Sequence, residues 1–327
     1  MNPFIFDETP GRTAFVNGKE YLFFSGYSYL GMQCVREFSA LIKEGIDKYG
    51  SLFPSSRISN TRLALFEECE ALLSSITGCE ETVLVSSGFT AGRMVIKKFG
   101  DEVINLQPSH PAITAGNTNP PQKDKKVFAV DAVDPLKAAI TDFSFVINDD
   151  TSKTIIVDDS HGFGLIGENG EGISAFLPGN DNNKYVLAYS LSKALNIVAG
   201  AVSCGKTLAD ELRSMPEYTA SAAPSPALLY AFLKAQHLYA MQRERLKDNI
   251  AYFLSLISDL KQIHFHPQLP VFILPGLDEE KLFEKKIIIS SFAYPDPKGK
   301  KLQRIVLNAL HTSKDLELLA ETLKKIL

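Results

Sequence analysis

The sequence lacks a run of about 18 apolar residues, the length a membrane-spanning helix requires, so no membrane association is expected. It lacks a basic surplus. The 34 Lys and Arg face 38 Asp and Glu, a net charge of −4, and no basic surface argues for nucleic acid. Its four cysteines (Cys34, Cys69, Cys79, Cys204) form no CxxC pair, which argues against a structural metal site and for buried free thiols in a reducing cytoplasm. The first residues, MNPFIFDETPGRT, lack a basic region followed by an apolar one and are not expected to be a secretory signal. Fixed-period repeats and low-complexity segments are also missing.

What is present is ordinary for a globular chain: 327 residues, 45% hydrophobic and 22% charged. That length supports a large domain and a smaller one. RTAFVNG and KEYLFFSG resemble a hairpin. Residues 35–49 and 62–77 carry helical periodicity, with Leu65, Cys69, Leu72 and Leu73 on one face of the second. The middle alternates short apolar runs with helices or loops: ETVLVSSG, FTAGRMVIKKFG, DEVINLQ, KKVFAVD, DFSFVIND, KTIIVDD, YVLAYS and NIVAGAVSC. Runs buried on both faces imply a mostly parallel sheet in an α/β domain, with antiparallel pairing open for the later runs. From Pro216 a long helix or two joined ones lead to VFILPG, KIIISSFAYP and QRIVLNAL as strands and DLELLAETLKKIL as a closing helix. The expected division is an N-terminal segment, 1–48, packing with the small domain; a large domain, 49–215; and a linking helix with a small α+β domain, 216–327.

Open α/β sheets bind ligands beyond the carboxyl ends of their strands, and three polar clusters fall at such ends. Ser86-Ser87-Gly88-Phe89-Thr90 joins a strand to a helix. It reads as an anion site at a helix N-terminus or as an ordinary Ser-capped turn. Asp158-Asp159-Ser160-His161-Gly162 reads as a partner for a protonated ring nitrogen, as a metal-ligand set, or as a solvated polar loop. Ser190-Leu191-Ser192-Lys193 reads as a partly dry nucleophilic lysine or as a surface turn. Each is weak alone. Their order is stronger, because pyridoxal 5′-phosphate (PLP) needs a phosphate cradle, a partner for its ring nitrogen and a lysine.

The chain resembles fold-type I PLP enzymes, specifically the α-oxoamine synthase family. The resemblance runs through SYLGM, SSRISN, LVSSGFTAG, the PSH around His110, IIVDDSHGFGLIGENGEGI, SLSKAL, YTASAAPSP and RIVLNALHT. It implies a large domain with a mostly parallel, seven-stranded-type sheet flanked by helices, plus a smaller α+β domain. It implies that Lys193 is the Schiff-base lysine and that Asp158 pairs with the pyridine nitrogen. His161 is then the residue near the ring hydroxyl, and His110 the histidine stacked on the ring. Ser87, Gly88, Phe89 and Ser190 would lie on the phosphate side. Arg304 matches the substrate-carboxylate clamp. The resemblance also implies a homodimer with a shared active site, in which YTASAAPSP reaches the partner's phosphate.

The sequence departs from that family at particular places. DFSFVINDDTSKTIIVDD lacks an SMDG-type loop and its helix, with Asn148 as the available polar substitute. Tyr27 stands where an Asn binds substrate carboxylate. Ala220 stands in place of a phosphate-side Thr, leaving Thr219 or Ser221 to compensate. The expected reaction is condensation of an amino acid with an acyl thioester on CoA or a carrier protein, with loss of CO2. The alternatives are a PLP-dependent aminotransferase or other amino-acid-converting enzyme, and a degenerate non-catalytic dimer of the same fold.

Overall fold

A computed structural model describes residues 4–116, 126–144, 152–178, 184–293, 298–299 and 301–327. The strands are β1 (Thr13–Val16), β2 (Lys19–Phe24), β3 (Glu81–Val85), β4 (Val103–Asn105), β5 (Val127–Asp131), β6 (Val133–Asp134), β7 (Ala139–Ile140), β8 (Thr154–Asp158), β9 (Lys184–Ser190), β10 (Gly200–Cys204), β11 (His264–Phe265), β12 (Val271–Ile273), β13 (Ile287–Ala293) and β14 (Lys301–Val306). The helices are α1 (Arg36–Tyr49), α2 (Ala64–Thr77), α3 (Gly88–Phe99), α4 (Lys206–Arg213), α5 (Pro216–Thr219), α6 (Pro226–Lys234), α7 (Gln236–Leu256), α8 (Glu279–Glu284) and α9 (Ser313–Ile326).

The chain divides into two compact units: Met1–Val35 with Asp134–Ile140 and Leu238–Leu327, and Arg36–Val133 with Thr141–His237. The division falls at 35/36 and 237/238, where the sequence suggests 48/49 and 215/216. The reason for the first is packing. α1 lies so close on α6 that a Cβ at Gly45 would sit 2.6 Å from Ala227 O, which ties α1 to the larger unit.

The larger unit is built on a sheet of order β3-β10-β9-β8-β5-β4. β4, β5, β8 and β9 run parallel, and β10 is antiparallel to both of its neighbours. Among the described residues this sheet has six strands where seven are expected. The run DFSFVIND and Asn148 lie largely or wholly outside the described residues. Burial explains why alternation was absent from these runs. β3, β8 and β10 are buried along nearly their whole lengths, so both faces carry apolar residues. Val83, Val95, Ile156, Val186 and Val202 belong to one continuous core beneath α3.

The smaller unit carries a sheet of order β1-β2-β13-β14-β12-β11. β1 and β2 form the expected hairpin, turned by Asn17 and Gly18 at φ 51° and 71°. Asn-Gly suits such a turn because both positions need positive φ. The closing helix α9 starts with a capping box between Thr312 and Asp315. Of the two forms expected beyond Pro216, one long helix or two joined ones, the second is present as α6 and α7, preceded by the short α5, and α5 and α6 each begin on a proline. Proline suits the first helical turn, where its missing N–H costs nothing. No described helix is long and apolar enough to cross a membrane. Of the four free cysteines, Cys69 and Cys204 are buried, whereas Cys34 is exposed and Cys79 half-buried; burial of all four was too broad an expectation.

Candidate active site

In the larger unit the parallel strands deliver their carboxyl ends to one edge, and the antiparallel β10 begins there. Gly200 opens β10 opposite Val85 and Ser190. This brings the Ser87–Gly88 turn against the β9 end. A Cβ at Gly88 would lie 2.6 Å from the Ser190 Cβ, and one at Gly200 would lie 2.1 Å from the Ser87 carbonyl oxygen. Only glycine allows backbones this close. Ser87 is the N-cap of α3, its Oγ accepting from the Thr90 N–H at 3.1 Å. Phe89, on the first turn, is exposed.

The β8 and β9 ends are tied together by Ser160. Its N–H donates to Asp158 Oδ1 at 2.9 Å, and its Oγ accepts from the Ser190 N–H at 3.1 Å. The Ser190 hydroxyl lies 2.7 Å from that of Ser192. The connection that carries Lys193 is closed by Leu191 N–H to Ala199 O and Ile197 N–H to Leu191 O, both at 3.0 Å, and the lysine is half-buried.

His110 sits over the ends of β5 and β8. Its backbone N–H donates to Asp131 Oδ2 at 2.9 Å, and Asp131 is the register partner of Asp158. His110 Nδ1 accepts from the Ala112 N–H at 3.2 Å and lies 3.7 Å from Asp158 Oδ2. An atom that accepts a hydrogen bond carries no proton, so the ring proton is on Nε2 and the approach to Asp158 is not a charged pair. The electrostatics agree. Burial holds the His110 pKa below its ordinary value, against the opposing pull of Asp158, and Lys193 pushes it further down. His161 is half-buried at the head of a turn closed by Gly162 N–H to Asp159 O at 3.1 Å.

Two further expected residues lie at and just after the end of α5. Thr219 ends α5, and its carbonyl accepts from Ser56 Oγ at 3.2 Å. Ser221 is exposed, with its hydroxyl donating to the Glu217 carbonyl.

Arg304 and Tyr27 belong to the smaller unit. Arg304 lies on β14, with Nη1 3.5 Å from Pro135 O and Nε buried without a partner. Among the described residues no carboxylate pairs with it. Burial lowers its pKa, while Tyr29 favours its charge. Tyr27 is 53% exposed.

Three residues at these places are given no role by the sequence. Asp131 holds His110, and its signal was available: KKVFAVD ends a strand on a carboxylate. Ser160 bridges two strand ends, which spacing cannot reveal. Tyr29 is buried near Arg304; burial pushes its phenol up to about 12, and Arg304 pulls against that.

Residues 135–323 match the family aminotransferase class I and II. The 8-amino-7-oxononanoate synthase of Fervidobacterium nodosum is 27% identical over 367 aligned residues, covering 98% of this chain and 92% of that one. The same enzyme of Coprothermobacter proteolyticus is 28% identical over 353, covering 95% and 89%. Among solved structures, a serine palmitoyltransferase from S. paucimobilis with a bound PLP–myriocin adduct superposes with a TM-score of 0.84 at 19% identity, covering 99% of this chain and 92% of that one. The 8-amino-7-oxononanoate synthase of Francisella tularensis gives 0.73 at 21%, covering 93% and 98%. These likenesses show the fold-type I architecture. With more than half of its residues matched, the chain belongs to the class I and II aminotransferase family and, within it, is a PLP-dependent enzyme of the α-oxoamine synthase type.

Proposed function

We propose that the chain joins an amino acid to an acyl thioester, with one α-amino ketone, one CO2 and one free thiol as products, acting as a cytoplasmic homodimer. One observation carries this reading: Ser160 and the two close glycines bind the Ser87–Gly88 turn, Asp158 and the Lys193 connection into one constellation.

The residues present fit PLP. At Gly88 and Gly200 a Cβ would fill the space by which the turn and the strand end approach, leaving a cradle of backbone at the N-terminus of α3. Such a terminus offers N–H groups to a phosphate. In this reading Ser87, Gly88, Phe89 and Ser190 hold the phosphate, and Thr219 or Ser221 serves the site of a second copy. When bound, PLP supplies an electron sink for the amino acid's Cα.

The chain's own groups do the rest. Asp158, mostly buried, keeps positive charge on the ring nitrogen. His110, as a neutral imidazole, would stack on the bound cofactor, and His161 would donate a hydrogen bond to it. Lys193 would hold the cofactor and, once its Nζ is displaced by the amino acid's amine, would take the Cα proton on that nitrogen. Placing that base beside the substrate supplies proximity as well as proton transfer. Arg304 binds the amino acid's carboxylate. A desolvated guanidinium with no carboxylate partner among the described residues suits an anion, and its planar fork fits a carboxylate. Tyr27 lines the substrate end.

Purified protein supplied with amino acids and acyl-CoA thioesters tests the proposal. Release of free CoA with CO2 is expected. Formation of a 2-oxo acid with the thioester left intact contradicts it and favours amino transfer.

A further inference from the structure

Two carboxylates follow one another at the end of β8, and only the first has a part in the proposal above. Asp159 is 1% exposed. Its Oδ2 accepts from the Ile173 N–H at 2.8 Å. Its Oδ1 is buried and has no hydrogen-bond partner among the described residues. Its N–H donates to Ala188 O at 2.9 Å, and its carbonyl accepts from Gly162 and Phe163 at 3.1 and 2.9 Å. Two glycines press on the carboxyl group. A Cβ at Gly162 would lie 2.1 Å from Oδ1, and one at Gly172 would lie 1.9 Å from Oδ2. The segment between them is closed on itself by Gly164 N–H to Gly170 O and Gly172 N–H to Ile166 O, both at 2.9 Å. One residue therefore holds both ends of the segment that His161 leads, the Gly162 end through its carbonyl oxygen and the Ile173 end through its carboxyl group.

An ionised carboxylate is poorly supported in this setting. Buried charges are ordinarily paired or held by several donors, and Asp159 has one amide. The titratable groups facing it are Asp158 on its own strand, Lys193 after β9, and Tyr189 on β9. Burial pushes its pKa well up; the Ile173 amide pulls it down, Asp158 adds to the rise and Lys193 subtracts. A neutral acid leaves one O–H unmade, a smaller cost than an under-solvated charge beside another carboxylate.

We propose that Asp159 is a positioning residue held as the neutral carboxylic acid, bracing the segment led by His161 and leaving Asp158 as the charged member of the pair. This deepens the proposed function, since it fixes which carboxylate serves the ring nitrogen. Its test does not depend on the cofactor.

Urea unfolding of the full chain, with and without PLP, is compared for wild type and Asp159→Asn between about pH 5 and about pH 9. Asn retains an oxygen for Ile173 and cannot ionise. The unfolded carboxyl releases its proton above about pH 3.9 while the folded one keeps it, so stability is lost as pH rises. The wild-type folding equilibrium is expected to fall with rising pH relative to Asp159→Asn, by at most about tenfold per pH unit and only until the folded acid also ionises. Parallel profiles, or a wild type that gains on the variant as pH rises, overturn the neutral acid.

Carbon-13 NMR of aspartate-labelled wild type needs no variant. One carboxyl signal is expected at the protonated position at neutral pH, and none there overturns the proposal. For the brace, Asp159→Ala is expected to speed amide exchange at Ile173, whose acceptor it removes, while β3 stays protected. Unchanged exchange at Ile173 overturns it. A chain with this pH dependence that binds no PLP keeps this inference and loses the proposed function.

Discussion

The amide of Ser190 donates to the hydroxyl of Ser160 at 3.1 Å, fastening the end of β9 to the end of β8 by a side chain that is 6% exposed. Removing that hydroxyl leaves a half-buried N–H without its acceptor. Ser160→Ala is therefore expected to cost about 1 kcal/mol of stability and to weaken PLP binding several-fold, because Ser190 is no longer fixed. Thermal unfolding and a PLP titration followed by visible absorbance check both effects. Unchanged PLP affinity would remove Ser160 from the account of the cradle.

Gly88 owes its identity to space, since its φ is not positive. Gly88→Ala puts a methyl group 2.6 Å from the Ser190 Cβ, and the turn and the strand end must separate. The expected loss is about 1–3 kcal/mol of stability, together with weaker PLP binding. Gly200→Ala is the more severe change, because its clash at 2.1 Å is with the Ser87 backbone, which cannot rotate away. Paired melting curves and PLP titrations of the two variants give the order.

Arg304→Lys keeps the charge and removes the planar fork. If Arg304 binds the substrate carboxylate, KM for the amino acid rises by about tenfold or more while kcat changes less. Steady-state kinetics separate the two. A fall in kcat at constant KM would point to a role at the reacting atoms instead.

His311 makes the smaller unit sensitive to acid. Its Nδ1 accepts from the Asn308 N–H at 3.1 Å, so Nε2 carries the proton toward Phe23 O at 3.1 Å, and the ring stacks on Phe24 at 4.1 Å. Burial lowers its pKa to about 4. Below the unfolded value of about 6.5, the unfolded chain binds a proton that the folded chain refuses. Stability is therefore lost as pH falls from about 6.5 to about 4, by on the order of 3 kcal/mol in all. Urea midpoints across that range, compared with His311→Gln, show a slope in wild type that the variant lacks at this position.

Much of the fold was legible because these strands are buried on both faces. ETVLV, TIIVD and GAVSC are solid apolar runs, and each is a strand of the larger sheet. The hairpin was legible from Val-Asn-Gly-Lys, where turn chemistry is local. The place where α1 belongs was not, because it depends on Gly45 meeting Ala227 across a long stretch of chain. The place where the two joined helices meet was hidden for a different reason: no proline or glycine marks the break at Ala235. In the site, the order of the three polar clusters was visible. The roles of Ser160 and Asp131 were not, because each acts on a backbone amide far away in sequence, even though the carboxylate closing KKVFAVD could have drawn notice to Asp131.

The central claim is that Lys193 holds the cofactor. Borohydride reduction of the PLP-loaded protein, followed by peptide mapping, tests it most directly. The account predicts one phosphopyridoxyl label, on the peptide containing Lys193, and none in Lys193→Ala. Label on another lysine, or no label in a protein that binds PLP, would contradict it.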